Sequence, residues 1–493
     1  MNANRIFFAC TLVGAAVLVH CASNDTLDTV LAADGGAADG DSDHSSDATD
    51  GLRDALAEAT SDTGSDAGLP SDAGGEEPYE TPDASVTCTA TPCALAIAGS
   101  SSNGALTFCA QMSDGTVQCW GANLSNRLGA PLDVVENGLP VSSIPRKIDA
   151  LSGVTSLSLG GSNACAVRSD GSVWCWGTSA LLKAGLTVDG GASLGASAVP
   201  THLDLVPAAS TVGVGNGTAC ITTDTGSLVC WGQNETNQLG VRPPDASAPA
   251  AVPLGNHAAE AARPTTGRTF AITRDGQLWS WGAAGCKDTA TCQYLLGRNT
   301  SDDPDPVPTM VPGLQNVRAA GSGTVHSCAV AGKVVECWGA NPNGQLGIGS
   351  SDTTRTLPQP STLASVIHDD DVDAGLPPAQ DIPVDIGVAD TATCAAMGSG
   401  RVYCWGWPQT AAEDRGRPLR VNGFSGPVVA VAVVATGDGR PTASGTGTAT
   451  ACALLRSGAV ECWGRNLYGA LGRGLPAWSL NDPVPAPVAF SQN

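Results

Sequence analysis

Residues 165–177 read Cys-Ala-Val-Arg-Ser-Asp-Gly-Ser-Val-Trp-Cys-Trp-Gly. Two short runs rich in strand formers flank the turn signal Ser169-Asp170-Gly171, so the stretch predicts a β-hairpin. The same phrase runs from Cys109 to Gly121 as Cys-Ala-Gln-Met-Ser-Asp-Gly-Thr-Val-Gln-Cys-Trp-Gly. Its closing Trp-Gly recurs at Trp120, Trp176, Trp231, Trp281, Trp338, Trp405 and Trp463, at intervals of 56, 55, 50, 57, 67 and 58 residues. Seven occurrences near one period mean one supersecondary unit copied seven times. The phrase Asn-x-x-x-x-Leu-Gly follows at Asn123–Gly129, Asn234–Gly240, Asn341–Gly347 and Asn466–Gly472. A Pro-bounded strand candidate precedes each hairpin, as at Ile144–Ile148 and Val307–Val311. No long helical periodicity interrupts the pattern. A four-stranded unit repeated seven times predicts an all-β, seven-bladed β-propeller, where radial repetition hides the sheet edges.

The hairpin, Trp-Gly and Asn…Gln-Leu-Gly phrases resemble the regulator of chromosome condensation repeat family over about residues 94–493. The resemblance implies a seven-bladed propeller. It implies little about function, because one superfold hosts many functions. The family includes a eukaryotic nucleotide-exchange factor for a small GTPase and bacterial propellers that bind other proteins. The first repeat lacks a preceding Pro-bounded strand, the chain entering at Leu95-Ala96-Ile97-Ala98, while Asp482–Ala489 is a surplus at the far end. The expected closure therefore places Pro487–Phe490 in the first blade.

Twelve cysteines fall in register within the hairpins: Cys109 with Cys119, Cys165 with Cys175, Cys220 with Cys230, Cys328 with Cys337, Cys394 with Cys404, and Cys452 with Cys462. Five pairs are ten residues apart and one is nine apart, in a hairpin shortened by one residue at Gly332-Lys333. That compensation points to cross-strand disulfides rather than zinc, whose knuckles use other spacings. The fourth repeat has Phe270 and Ser280 at these places, and Cys286 and Cys292 form a candidate pair in the following connection. Cys88 and Cys93 are expected to pinch the chain where the propeller begins.

The chain of 493 residues has 18 Cys, 61 Gly and only 14% charged residues, with a net charge of −23. So many cysteines argue for an oxidising compartment. The acidic balance argues against a nucleic-acid partner, which needs clustered Lys and Arg. Residues 1–21 read as an export signal: Arg5 precedes the apolar run Ile6–Val19, too short to span a bilayer. Leu18-Val19-His20-Cys21 resembles a bacterial lipobox, which implies lipid on Cys21, although His20 stands where the pattern prefers a small residue. An ordinary secreted chain, cut for example after Ser23, is the alternative. Residues 22–87 carry 17 acidic residues against Arg53 alone and hardly any aliphatic ones. Such a segment cannot bury enough apolar surface to order itself, and reads as a disordered acidic linker spanning about 45 Å. The expected domains are thus 1–21, 22–87 and the propeller 88–493.

Candidate chemistry is sparse. No Ser/His/Asp motif or phosphate loop stands out, and no catalytic residue, metal ligand or cofactor is expected. His326 sits two residues before a hairpin cysteine and reads as structural. The insertion 365–383 holds Asp369-Asp370-Asp371-Val372-Asp373, read as a solvated acidic loop, with a hard-cation site as the competing use. Trp407 and Trp478 lie outside the repeated hairpins and, with Asp369, Asp370, Asp371 and Asp373, are the candidate binding residues. The expected function is a non-enzymatic module, lipid-anchored at the cell surface or otherwise secreted, that binds a protein or glycan outside the cytoplasm. It meets the membrane only through the N-terminal lipid. A propeller-type glycan hydrolase is the alternative, favoured if paired carboxylates converge in the central channel. Nucleotide exchange or chromatin binding ranks third.

Overall fold

The computed structural model describes residues 83–131, 135–136, 138–178, 181, 197–241, 248–285, 294–350, 354–373, 381–406, 416–436, 448–477 and 481–490. The export signal with Cys21, the linker up to residue 82, the pair Cys286 and Cys292, Trp407 and Trp478 lie outside them.

Seven antiparallel sheets follow one another along the chain, over residues 94–147, 154–202, 211–252, 259–310, 317–360, 383–421 and 428–487. Each is a meander whose first strand lines the centre of the ring and whose last strand lies on the outer side; in the first sheet the two-residue strand Val135–Glu136 is added beyond it. The second and third strands form the repeated hairpin. Cys165 pairs directly with Cys175 and Ala164 with Trp176, so disulfide and indole leave on opposite faces of the strand. All six in-hairpin disulfides are present. Cys109 is bonded to Cys119, Cys165 to Cys175, Cys220 to Cys230, Cys328 to Cys337, Cys394 to Cys404, and Cys452 to Cys462. Cys88 is bonded to Cys93 as well. Each hairpin loop closes about 11 residues and contributes up to about 3 kcal/mol by the chain-entropy relation.

The phase of the repeat differs from the sequence expectation. The Pro-bounded strands follow their hairpins as outer edges: Leu139–Lys147 pairs with Val117–Ala122, and Asp305–Met310 with Leu278–Gly282. Proline lacks a ladder donor, so the outer edge is where it is tolerated. The first blade is therefore complete within residues 94–147. Asp482–Pro487 pairs with Val460–Gly464 as the edge of the seventh blade, and not beside the first. The ring closes without a shared strand.

Closure uses the bond that joins five of the other six pairs of neighbours. The glycine carbonyl of the hairpin turn accepts an N–H at the start of the next inner strand, as Gly115 O does from Val154 at 2.9 Å and Gly400 O from Val428 at 3.0 Å; the exception is the sixth blade, whose inner strand begins at Pro383. At the seam Gly458 O accepts from Ala94 N at 2.8 Å. A strap at 83–93 reinforces this: Thr87 N donates to Arg456 O (2.7 Å), Thr89 N to Ser457 O (3.0 Å), and Ser113 N to Cys93 O (2.9 Å). Cys88–Cys93 bridges the strap from exposed Cys88 to buried Cys93.

The acidic insertion is also corrected. Leu363–Asp373 is an α-helix, not a loop. Leu363, Val366 and Ile367, at helical spacing, are buried with Leu346, Tyr403 and Trp405. The three-residue stripe is short, and aspartates at a helix C-terminus oppose its dipole, so the local signal was weak.

His326 is structural, as its repeat position suggested. Thr393 Oγ1 donates to Gln345 O (3.1 Å) and so accepts from His326 Nε2–H at 2.8 Å, leaving the buried Nδ1 without a partner. Protonating Nδ1 would bury an unpaired charge, and burial together with the Arg268 charge pushes the pKa down to about 3. The folded value lies below the unfolded value near 6.5. Stability is therefore fully present above pH 6.5 and falls as the pH drops below it.

Two outcomes are expected. Cys88→Ser should cost about 2 kcal/mol, the entropy of its short loop, and speed amide exchange at Thr87, Thr89 and Ala94; unchanged melting and exchange would refute the strap. His326→Gln should flatten the acid limb of denaturant stability between pH 6.5 and 5 by up to about 1.4 kcal/mol per pH unit.

Candidate functional site

Four of the seven blade boundaries are built from two repeated phrases that meet across them. The Asn-x-x-x-x-Leu-Gly loop of one blade is closed on itself by its asparagine. Asn341 Oδ1 accepts from Leu346 N at 2.9 Å and Asn341 Nδ2 donates to Ser350 O at 2.6 Å. Asn123, Asn234 and Asn466 make the same pair of bonds. The loop then offers a carbonyl to the Trp-Gly indole of the next blade. Trp176 Nε1 donates to Arg127 O (2.8 Å), Trp281 to Gln238 O (2.9 Å), Trp338 to Leu295 O (3.0 Å) and Trp405 to Gln345 O (2.8 Å). Trp120 donates to Ala470 O (2.9 Å), closing the ring. The glycine after the leucine lies flat on the ring. At Gly347 a Cβ would fall 2.8 Å from Trp405 Nε1, and φ is +67°. A disulfide of the preceding blade forms the floor: Cys109 and Cys119 cluster with Trp176, and Cys328 and Cys337 with Trp405. Cys220 and Cys230 cluster in the same way with Trp281, and Cys452 and Cys462 with Trp120. The fourth blade substitutes Phe270, whose ring meets Trp338 edge-on at 5.9 Å.

Five boundaries seat the leucine that follows this carbonyl: Leu128, Leu239, Leu296, Leu346 and Leu471, each at most 1% exposed. At a sixth, Leu181 is buried in one cluster with Trp231, whose Nε1 has no hydrogen-bond partner. The boundary after Trp405 differs again. The connection 407–418, Trp-Pro-Gln-Thr-Ala-Ala-Glu-Asp-Arg-Gly-Arg-Pro, contains no asparagine and no leucine. Here the structure shows a groove of about 310 Å³ between the sixth and seventh blades. Its apolar walls include Trp405, Leu419, Val421, Ala451, Trp463 and Pro483, over the Cys394–Cys404 disulfide. Arg420, Asn422 and Asn481 supply its polar groups. Trp463 is half-buried, whereas the other six Trp-Gly tryptophans are fully buried, and its ring is held edge-on by Phe424 at 5.3 Å. The size falls in the range of ligand-binding clefts.

Trp407 follows the groove residue Gly406 directly in sequence, and Trp478 precedes Asn481 by three residues. The acidic run belongs to the previous boundary. Asp370 accepts from Tyr403 OH at 3.1 Å, and Asp369 lies 3.7 Å from exposed Arg417. Of Asp371 and Asp373 only the helical backbone is described. No group of three metal-ligating side chains occurs among the described residues.

The central channel opens into a cavity of about 160 Å³ lined by a three-residue stretch from every inner strand, from Gly99–Ser101 to Val433–Ala435. Among the described residues lining it, Asp390 is the one carboxylate. Burial pushes its carboxyl up, and it accepts from Thr324 N at 3.1 Å. Asp385, also pushed up by burial, accepts from Val431 N at 2.9 Å. Two buried arginines serve the frame: Arg127 donates to Gly161 O and Ala105 O, and Arg268 to Gly323 O and Ala283 O.

Sequence reasoning singled out the two tryptophans that adjoin the groove along the chain but missed the groove. The Asn-x-x-x-x-Leu-Gly phrase is missing after Trp405, but also after Trp176 and Trp281, so its absence alone did not mark the groove.

The model of the regulator of chromosome condensation (RCC1) repeat matches residues 154–180. The chain is 29% identical over 311 residues to the mitochondrial RCC1 domain-containing protein RUG3 of Arabidopsis thaliana, covering 59% of this chain and 62% of that protein. It is 29% identical over 260 residues to the ultraviolet-B receptor UVR8 of the same plant, covering 48% and 52%. It therefore spans between half and two thirds of the length of these relatives. Among solved structures it is similar to Prp20p of Saccharomyces cerevisiae, at 18% identity, TM-score 0.57, and coverage of 76% of this chain and 86% of that one. The yeast protein is described with binding properties to Gsp1p and histones. Human WBSCR16 superposes with TM-score 0.55 at 19% identity, covering 68% and 83%.

If the last seat is open, the two indoles flanking the sixth blade should differ in worth. Trp405→Ala is expected to cost about 3–5 kcal/mol, as for a fully packed core tryptophan. Trp463→Ala should cost less than half as much by denaturant unfolding. Equal losses would show that Trp463 sits in a filled seat.

Proposed function

Because the chain is a seven-bladed β-propeller of regulator of chromosome condensation repeats, we propose that it is a non-catalytic binding module working outside the cytoplasm, and that the groove between the sixth and seventh blades is where it takes its partner. The observation that carries this is the groove at the boundary after Trp405, where a half-buried indole stands beside apolar and amide side chains, whereas the other six Trp-Gly tryptophans are fully buried. Hot spots of binding surfaces favour such tryptophans. The groove sits among non-repeating connections on a rigid, disulfide-bonded frame, the usual place for binding residues.

The seven described disulfides support an oxidising compartment. The export signal and the lipobox-like end at Cys21 extend that to a lipid-anchored protein, with 22–87 as a spacer of about 45 Å letting the propeller search above the membrane. Nucleotide exchange on an intracellular GTPase fits neither feature. The partner is an extracytoplasmic protein or glycan.

Two measurements check this. Cys21→Ser should move the exported chain from the detergent phase to the aqueous phase; unchanged partitioning would remove the lipid anchor from the reading. On intact cells, Leu419→Arg should abolish cross-linking of the full chain to its surface partner while leaving the melting temperature within about 3 °C, as expected of a partly exposed side chain. Turnover of a glycoside by the purified chain, lost in Asp390→Asn or Asp385→Asn, would replace the non-catalytic reading.

A further inference from the structure

The seven described disulfides are not equally shielded. Eleven of the twelve hairpin cysteines are at most 3% exposed, and Cys404 is half-buried. Cys88 alone among the described cysteines is exposed, while its partner Cys93 is buried. The Cys93 sulfur is backed by the seam of the ring, where a Cβ added to Gly458 would fall 2.3 Å from it. Thiol–disulfide exchange needs a thiolate to reach a sulfur, so access separates these bonds. We infer that Cys88–Cys93 is a thiol-exchange site: a dithiol attacks Cys88 Sγ, opens this bond ahead of the six hairpin bonds, and frees the strap 83–92 from the seam without opening the ring.

The exchange moves two electrons. One thiolate of the dithiol bonds to Cys88 Sγ and the Cys88–Cys93 bond breaks. Its electron pair leaves on Cys93 Sγ, which takes up a proton and stays buried as a neutral thiol. The second thiolate of the dithiol then attacks the reagent's own sulfur in the mixed disulfide. The dithiol is oxidised to a cyclic disulfide, and Cys88 leaves as a thiolate that takes a proton from water. Cys93 keeps its anchorage, since its carbonyl accepts from Ser113 N at 2.9 Å and its sulfur lies 3.7 Å from Ala94 O, an acceptor for the new S–H. The residues before it have less to hold them. Thr87, Thr89 and Ala90 give three backbone N–H groups to Arg456 O and Ser457 O, and Asp83 meets Arg456 in a surface pair at 3.4 Å, an interaction of little worth in water. Ala84 and Val86 are partly buried against the cluster of Met112, Leu454 and Val460. The ring itself is closed by other groups, chief among them the Trp120 indole on Ala470 O. Reduction therefore uncovers the turn Arg456–Gly458 and the edge of that cluster, and leaves the propeller intact.

The test is timed reduction of the oxidised full chain by dithiothreitol, with acid quenching, alkylation and peptide mass spectrometry. Cys88 and Cys93 should become alkylated together, on the order of tenfold or more faster than any of the twelve hairpin cysteines. Glutathione, a monothiol that stops at the mixed disulfide, should be found on Cys88 and not on Cys93. In the chain reduced at this one bond, amide exchange followed by NMR should rise on the order of tenfold at Thr87, Thr89 and Ala90. The Trp120 indole N–H, bonded across the same seam, should stay protected. Opening of a hairpin pair as fast as Cys88–Cys93, with half-buried Cys404 and its partner Cys394 as the nearest rival, would overturn the inference. So would glutathione on Cys93, strap amides still protected after reduction, or loss of protection at the Trp120 indole.

Discussion

The propeller depends on one contact made between consecutive blades: a tryptophan indole laid flat on a glycine, with its N–H on a carbonyl of the preceding loop. A blade is a twisted four-stranded sheet with two apolar faces, and it buries them only against its neighbours. The large flat ring fills the wedge between two blades, and its single donor has to be satisfied there. This one requirement explains both repeated phrases. Trp-Gly supplies the ring, and Asn-x-x-x-x-Leu-Gly supplies the surface, the carbonyl and the leucine beside it. The asparagine bonds the loop to itself, so the carbonyl is already aimed when the blades meet. Trp120 and Ala470 repeat the contact 350 residues apart in sequence, which is how a ring with no shared strand still closes.

The disulfides are subordinate to that contact. Because strand neighbours face opposite ways, a Cys-Trp dipeptide sends the sulfur to one boundary and the indole to the other. The bridge of each hairpin thereby becomes the floor beneath the next tryptophan. The fourth blade shows that the floor matters more than the covalent bond. Phe270 replaces one sulfur in the packing with Trp338, while Ser280 bonds Leu296 O and Arg298. The Arg298 charge is neutralised by Asp305 at 2.8 Å in a buried pair.

Function is read from where this regularity stops. Five boundaries spend their tryptophan, leucine and carbonyl internally, and a sixth buries Trp231 with Leu181 without the carbonyl bond. The sixth-to-seventh boundary keeps the ring and the floor but has a connection of different composition. The result is an apolar groove with amides at hand, on a frame that is too constrained to collapse into it. The channel at the centre is an unpromising rival. Its wall is glycine-rich because inner strands meet backbone to backbone, as where a Cβ on Gly160 would lie 2.2 Å from Val214 O.

Much of this was legible in the residues themselves. Period, hairpin turns and cysteine register are local, and local chemistry determines them: Ser-Asp-Gly turns because Asp170 caps the Ser172 N–H at 3.0 Å and glycine accepts a left-handed backbone. The count of seven blades, the six in-hairpin disulfides and the divergence of Cys175 from Trp176 follow from spacing and strand alternation alone. The phase of the outer strand did not, because a Pro-bounded strand between two hairpins has the same local character whichever one it joins. Only pairing of Leu139–Lys147 with Val117–Ala122 assigns it, and with it the manner of closure. The helix at Leu363–Asp373 was hidden likewise, since its apolar stripe is short and its stability comes from Leu346 and Tyr403, distant in sequence. The groove is the purest case: it is a property of two facing blades, and the same phrase is missing after Trp176 and Trp281, so tertiary packing alone located it.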